Sequence, residues 1–210
     1  MTPANLKVTW IALAFALAAC ETPVIYEPAS EATSGAQAPA ERPSFSPDDE
    51  FWFNIGGSSI LVEVYQGMTD GQHVFRRPLQ NETLYYTADM ALVRIERAFG
   101  EDEYFEPDNG ALAFPLTPGK TWSRTYRERT ENTVFTTRRR RDCEVLDVGR
   151  FESEAGQFLA YRIACSQSRL GEAGLNQDEV IYAPAVGRIV HRRRLGRGSE
   201  LTLIEQVRAQ

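Results

Sequence analysis

From about Asp48 onward the chain consists of short runs of alternating apolar and polar residues separated by turn dipeptides, a rhythm that restricts it to an all-β fold. Ser58–Tyr65 alternates with Ile60, Val62 and Val64 on one face and Glu63 on the other, the pattern of a half-buried strand. Asp70-Gly71 then predicts a tight hairpin turn into a strand over Gln72–Arg77. Further strands are expected at Leu84–Thr87, Leu112–Phe114, Trp122–Glu128, Val134–Val148, Phe158–Ala164, Val180–Tyr182, Arg188–Arg194 and Leu201–Val207. Asn109-Gly110, Pro118-Gly119, Ala155-Gly156 and glycines 196 and 198 separate them. Residues 48–210 are long enough for one domain with a real core, and this spacing predicts one antiparallel, strongly curved sheet, a sandwich or a partly open barrel. Asp89–Gly100 fits a strand or one short helix with Asp89 as N-cap, and the strand is preferred.

Upstream, Lys7 precedes an apolar run from Val8 to Ala18 and the sequence Leu17-Ala18-Ala19-Cys20. The run has signal-peptide rather than membrane-spanning length. This stretch resembles a bacterial lipoprotein signal, 1–19, ending in a lipobox. The resemblance implies that Cys20 becomes the first mature residue and carries acyl chains that hold the protein on a membrane. Glu21 after the cysteine implies the outer membrane, facing the periplasm, by resemblance to the enteric sorting rule. Residues 20–47, rich in Pro, Ala, Ser and Glu, read as a disordered tether.

With Cys20 assigned to the anchor, Cys143 and Cys165 remain, in a compartment where disulfides persist. They lie symmetrically about the turn at Glu154-Ala155-Gly156, so a hairpin would set them opposite one another. Opposed strand residues have Cα atoms about 4.5–5.5 Å apart, within disulfide range. A Cys143–Cys165 bridge is therefore expected as a structural staple. No closely spaced cysteine pair exists and the only histidines are His73 and His191, so no metal site and no cofactor are expected.

Three pieces, Phe114-Pro-Leu-Thr-Pro-Gly-Lys-Thr-Trp122, Ala155-Gly-Gln-Phe-Leu-Ala-Tyr-Arg-Ile163 and Tyr182-Ala-Pro-Ala-Val-Gly-Arg-Ile-Val190, stand in the order and spacing of an uncharacterised family. The chain resembles, over roughly residues 80–195, the β-rich domains of bacterial lipoproteins and periplasmic proteins. Glu154 and Ala185 depart from that family's usual proline and glycine. The resemblance implies a curved antiparallel sheet, like the lipoprotein-carrier half-barrels, and implies no activity.

Charge is unevenly placed. Residues 21–110 carry 17 acidic and 5 basic side chains, a net of −12, whereas residues 111–210 carry +5, nearly all of its basic charge being arginine. Arg124, Arg127, Arg129, Arg138, Arg139, Arg140, Arg141, Arg192, Arg193 and Arg194 would form an anion-binding patch if neighbouring strands aligned them on one face. Fitting partners are an anionic lipid headgroup, lipopolysaccharide or an acidic envelope protein; nucleic acid is excluded by compartment. The bland alternative is a solvated face paired with the acidic half, notably Glu101, Asp102, Glu103, Glu106 and Asp108. That loop lacks EF-hand spacing, which disfavours calcium.

No nucleophile elbow, zinc-protease helix, phosphate loop or dinucleotide fingerprint is present, so an enzyme is not expected. Two roles fit: an interaction or structural lipoprotein that docks another envelope component, and a carrier whose curved sheet encloses an apolar ligand. A carrier needs a continuous apolar hollow; a docking module has a filled core and an outward patch.

Overall fold

The computed structural model describes residues 25–29, 38–171, 175–196 and 199–209. The leader 1–19 and Cys20 lie outside the described residues. The strands are β1 (Ile25–Pro28), β2 (Glu50–Ile55), β3 (Ser59–Thr69), β4 (Gln72–Arg77), β5 (Glu82–Tyr86), β6 (Leu92–Arg97), β7 (Glu103–Glu106), β8 (Thr121–Thr130), β9 (Thr137–Ser153), β10 (Gly156–Arg169), β11 (Leu175–Ala183), β12 (Arg188–Leu195) and β13 (Glu200–Val207). Strands β2 to β13 follow one another in chain order, each antiparallel to the next, and β13 pairs back onto β2. The result is a closed, up-and-down barrel of twelve strands, with β1 added beside the far end of β9.

Closure corrects the expectation of a sandwich or partly open barrel. Phe51 and Phe53 supply the missing edge, for β2 zips onto both β3 and β13 and leaves no open flank. Asp89–Gly100 contains strand β6 rather than a helix, and Leu112–Phe114 is loop rather than strand. Asp70 and Gly71 both take positive φ, 50° and 76°, the geometry a two-residue hairpin demands.

The inner face is set by Phe53, Leu61, Tyr65, Phe75, Leu84, Val145, Ile163, Val180, Tyr182 and Leu203, all buried in one cluster. On β3 the inward parity is opposite to the expected one. Leu61, Glu63 and Tyr65 point in, while Ile60 is exposed. Tyr65 and Leu61 give that face more apolar volume than the valines, and Glu63 is tolerated there because arginines meet it.

The two ends of the barrel differ. At one end lie the connections 87–91, 107–120 and 184–187, together with residues 38–49. Leu112 and Leu116 are buried there without being in strands, and Leu116 exchanges backbone hydrogen bonds of 2.9 Å with Ala40. Phe45 packs edge-on against Phe51 and Phe75, and Phe114 lies 5.2 Å from the Tyr182 ring. Trp122 donates its indole N–H to the Gly110 carbonyl at 3.0 Å, and only glycine fits at 110, where φ is +60° and a Cβ would collide with Arg124. The motif Phe114–Trp122 thus acts as an apolar plug.

Residues 20–47 are not a free tether wherever they are described. Ile25–Pro28 pairs with Gly149–Glu152 of β9, Tyr161 donates to the Ala38 carbonyl at 2.7 Å, and Phe45 joins the core. Proline-rich composition hid this, because backbone pairing and one well-placed ring need no periodicity. The outward positions Arg76, Arg94, Glu96, Arg127, Arg138 and Glu144 give the barrel a charged exterior, unlike the apolar outer band of a membrane-spanning barrel.

His73 and His191 are both buried, with Nδ1 atoms 3.1 Å from the Tyr65 hydroxyl and 3.0 Å from the Thr202 hydroxyl. Burial lowers the pKa of each. The folded state therefore keeps them neutral, while the unfolded chain takes up protons near pH 6.5. Stability should be constant above about pH 7 and fall as pH drops through about 6.5. Thermal melts from pH 8 to 5 should show this loss, and His73→Gln/His191→Gln should flatten it; an unchanged slope would contradict the assignment.

Candidate functional site

At the opposite end, called here the rim, the hairpins β2–β3, β4–β5, β6–β7, β8–β9, β10–β11 and β12–β13 turn, and the interior becomes ionic. A chain of charges runs up to the rim from the plugged end of β12: Arg188 pairs with Glu63, Glu63 with Arg77 at 2.6 Å, Arg77 with Glu82 at 3.1 Å, Glu82 with Arg97 at 3.0 Å, and Arg97 with Glu103 at 3.0 Å. On the facing wall Arg194 meets Asp178 at 3.1 Å and Arg139 meets Glu128. Arg141, also buried, reaches Gln167 at 2.9 Å and no carboxylate among the described residues. Register explains the arrangement, for Glu63, Arg77, Glu82, Arg97, Glu103, Glu128 and Asp178 each stand two positions from a buried apolar residue on the same face.

The same period of two divides the predicted patch. Trp122 and Cys143 are direct partners on the inner face, so Arg124 with Arg141, and Tyr126 with Arg139, follow on that face. Arg192 and Arg194 join them through Val180 and Asp178. Arg127, Arg129, Arg138, Arg140 and Arg193 point outward. The ten arginines therefore form no single surface. Several are paired with the acidic loop, Arg124 with Asp108 at 3.1 Å and Arg129 with Glu106 at 3.1 Å, and Arg129 also covers the Tyr104 ring at 3.9 Å. Asp102 is taken by Arg94 at 2.7 Å and by the Arg97 N–H at 3.0 Å, so that loop spends its carboxylates on arginines. Arg193 meets Glu179 at 3.2 Å and Arg140 meets Asp142 at 2.9 Å.

Arg127 and Arg138 are different. They are direct cross-strand partners, both exposed, and neither makes an ion pair among the described residues. Glu106, opposite Arg127 on its other side, is held by Arg129. Like charges set directly opposite one another are destabilising unless something external compensates. Beside them the hairpin tips carry bare apolar side chains: Val134 is 90% exposed, Phe135 83%, Phe99 84% and Leu79 64%. Alternation does not mark these tips: Val134 and Phe135 fit the strand expected over Val134–Val148, whereas β9 begins only at Thr137.

Cys143 and Cys165 form the expected disulfide, S–S 2.04 Å, between directly opposed residues of β9 and β10. Two hollows are of note among the described residues. One, about 620 Å³, is an open hollow on the outer face across β8 to β12, lined by outward side chains including Ser123, Glu144, Leu146, Ser166 and Glu179. The other, about 140 Å³, sits between plug and ionic layer, against Arg188 and Arg192. Among the described residues no group of three or more His, Cys, Asp or Glu side chains could hold a metal ion, and no helix is long and apolar enough to cross a membrane.

Comparison with protein-family models finds no match, and comparison with curated protein sequences finds none. Among solved structures, the chain is similar in fold to the hypothetical lipoprotein YmcC from Escherichia coli K12. The TM-score is 0.52 at 13% identity, covering 83% of this chain and 93% of that one. A chain from Parabacteroides distasonis, named as a candidate lipoprotein, aligns at TM-score 0.39 and 11% identity over 81% of this chain and 100% of that one. The first likeness supports the fold: one closed, curved antiparallel sheet.

Proposed function

We propose that this protein is an envelope lipoprotein, fixed to a membrane by acylated Cys20, whose barrel docks an acidic envelope protein through its rim and performs no catalysis. Support for the anchor comes from the lipobox residues and from the YmcC structure, described as a lipoprotein. The observation that carries the docking reading is the placement of Phe99, Val134 and Phe135, bare and next to the uncompensated Arg127 and Arg138, at the end opposite to where the chain enters. Four residues separate Cys20 from Ile25, five Cα–Cα steps with a reach of at most about 17 Å, and Ile25 lies beside the β9–β10 turn at the plugged end. Eight residues of β12 span roughly 26 Å along the strand, so the rim stands away from the anchoring bilayer. An acidic protein surface, rather than the headgroups of that bilayer, is within its reach.

A filled core favours docking over lipid carriage, since the interior holds the plug and an ionic layer instead of a continuous apolar hollow. The test places a photo-crosslinking residue at Phe135 or Phe99 in cells, with Gln157 at the plugged end as control. One envelope protein should be captured from the rim positions alone, and lost in Arg127→Glu/Arg138→Glu. Capture independent of those charges, or native mass spectrometry showing a bound acyl lipid, would overturn the reading.

A further inference from the structure

The hollow of about 140 Å³ between plug and ionic layer has a composition that the rim does not explain. Its walls are apolar over Phe53, Leu61, Met90, Leu92, Leu112 and Leu201, yet three guanidinium groups, from Arg77, Arg188 and Arg192, enter it against a single carboxylate, Glu63. Glu63 is already shared: Arg77 donates to one of its oxygens through Nε at 2.9 Å and Nη2 at 2.6 Å, and Arg188 donates to the other through Nη2. Arg188, whose side chain is 8% exposed, keeps a buried Nη1 with no hydrogen-bond partner, and the Arg192 Nε is buried and unpartnered too. The Arg192 side chain makes no ion pair among the described residues; Asp178, the carboxylate whose field acts on it most, is engaged by Arg194 at 3.1 Å. Tyr86 and Asn109 add a hydroxyl and an amide to the wall.

Donors in the wall therefore outnumber acceptors; with Arg77 also met by Glu82, Glu63 is the one carboxylate of the lining left to Arg188 and Arg192, and one positive charge is in excess. Buried donors left unmatched are destabilising, and buried like charges more so. Burial first, and then the neighbouring Arg192, lower the Arg188 pKa, in the direction that this crowding of cations requires. What the hollow lacks is an acceptor bearing negative charge, with a short hydrocarbon body to lie on the apolar wall.

We propose that this hollow binds a small organic anion, its carboxylate held by Arg188 and Arg192 and its apolar body resting on Met90, Leu92 and Leu112. A cavity of about 150 Å³ accommodates a ligand as large as benzene, so about six non-hydrogen atoms suit it. Arg188 is itself tied to Glu63, and its removal would disturb the fold; Arg192 breaks no ion pair and is the better probe.

The experiment uses the full mature chain at constant ionic strength and sodium butanoate as ligand, read by NMR shifts and calorimetry. Butanoate should bind at a single saturable site with Kd of about 1 mM, the affinity expected of so small a ligand. Acetate, without the body, and butan-1-ol, without the charge, should each bind at least about tenfold more weakly. Arg192→Met should lose the butanoate signal by a similar factor while keeping its melting transition. No saturable butanoate binding to about 50 mM, equal binding of butan-1-ol, tighter binding of inorganic phosphate, or unaltered binding in a folded Arg192→Met would each overturn the proposal. The butan-1-ol comparison stands even if that variant does not fold.

Discussion

Replacing Glu63 with glutamine should remove about 3–5 kcal/mol of stability, the range for breaking a buried ion pair from one side. Glu63 is 2% exposed and, among the described residues, is the only carboxylate that Arg188 meets; it also takes two donors from Arg77. Without its charge, Arg188 is left buried against Phe51, Phe75 and Tyr86, whose ring faces lie 5.5, 4.1 and 5.3 Å from its guanidinium carbon and compensate only in part. Arg77 retains Glu82. Since domains are stable by only about 5–15 kcal/mol, the variant should unfold at much lower denaturant. Removing both partners, as Glu63→Leu/Arg188→Met, should be milder than Glu63→Gln, because no charge is stranded. Urea titrations of the three proteins measure this, and a loss below about 1 kcal/mol in Glu63→Gln would show that the ionic layer does not depend on it.

Cutting the staple should have the next largest effect. The Cys143–Cys165 bond closes a loop with a sequence separation of 22, for which the chain-entropy relation gives about 3 kcal/mol. Both cysteines also belong to the buried core, with Val145 and Ile163 one register step inward. Cys143→Ala/Cys165→Ala should therefore lose about 3 kcal/mol or somewhat more, in urea titration under oxidising conditions. Reduction of the native protein with dithiothreitol should shift its midpoint by a similar amount. An unchanged midpoint after reduction would show that the barrel closure, not the cross-link, holds this hairpin.

Strand content and the disulfide were legible in the sequence because they rest on local signals: alternation, turn dipeptides, and two cysteines equidistant from a turn. Face assignment was not. On β3 the residues Ile60, Val62 and Val64 look like the buried set, yet Leu61, Glu63 and Tyr65 occupy it, since a buried carboxylate is recognisable only once its arginines, Arg77 and Arg188, 14 and 125 residues away, are in place. The arginine cluster met the same obstacle. Four successive arginines in a strand must split between two faces, so Arg139 and Arg141 enter the barrel while Arg138 and Arg140 leave it. Closure itself was hidden, for the pairing of β13 with β2 joins the two ends of the domain and leaves no local trace. The plug shows the converse: Phe114–Trp122 reads as turn and strand, but its apolar residues work as filling because the barrel around them is too wide for strand side chains alone.

The proposed function turns on where the barrel is held, since in that proposal acyl chains at Cys20 set the plugged end at a bilayer and aim the rim outward. Intact-mass measurement of the native protein extracted in detergent tests this directly. A chain beginning at Cys20 and heavier by a diacylglyceryl group and an amide-linked acyl chain is the result expected. A polypeptide of unmodified mass, or one retaining residues 1–19, would contradict it.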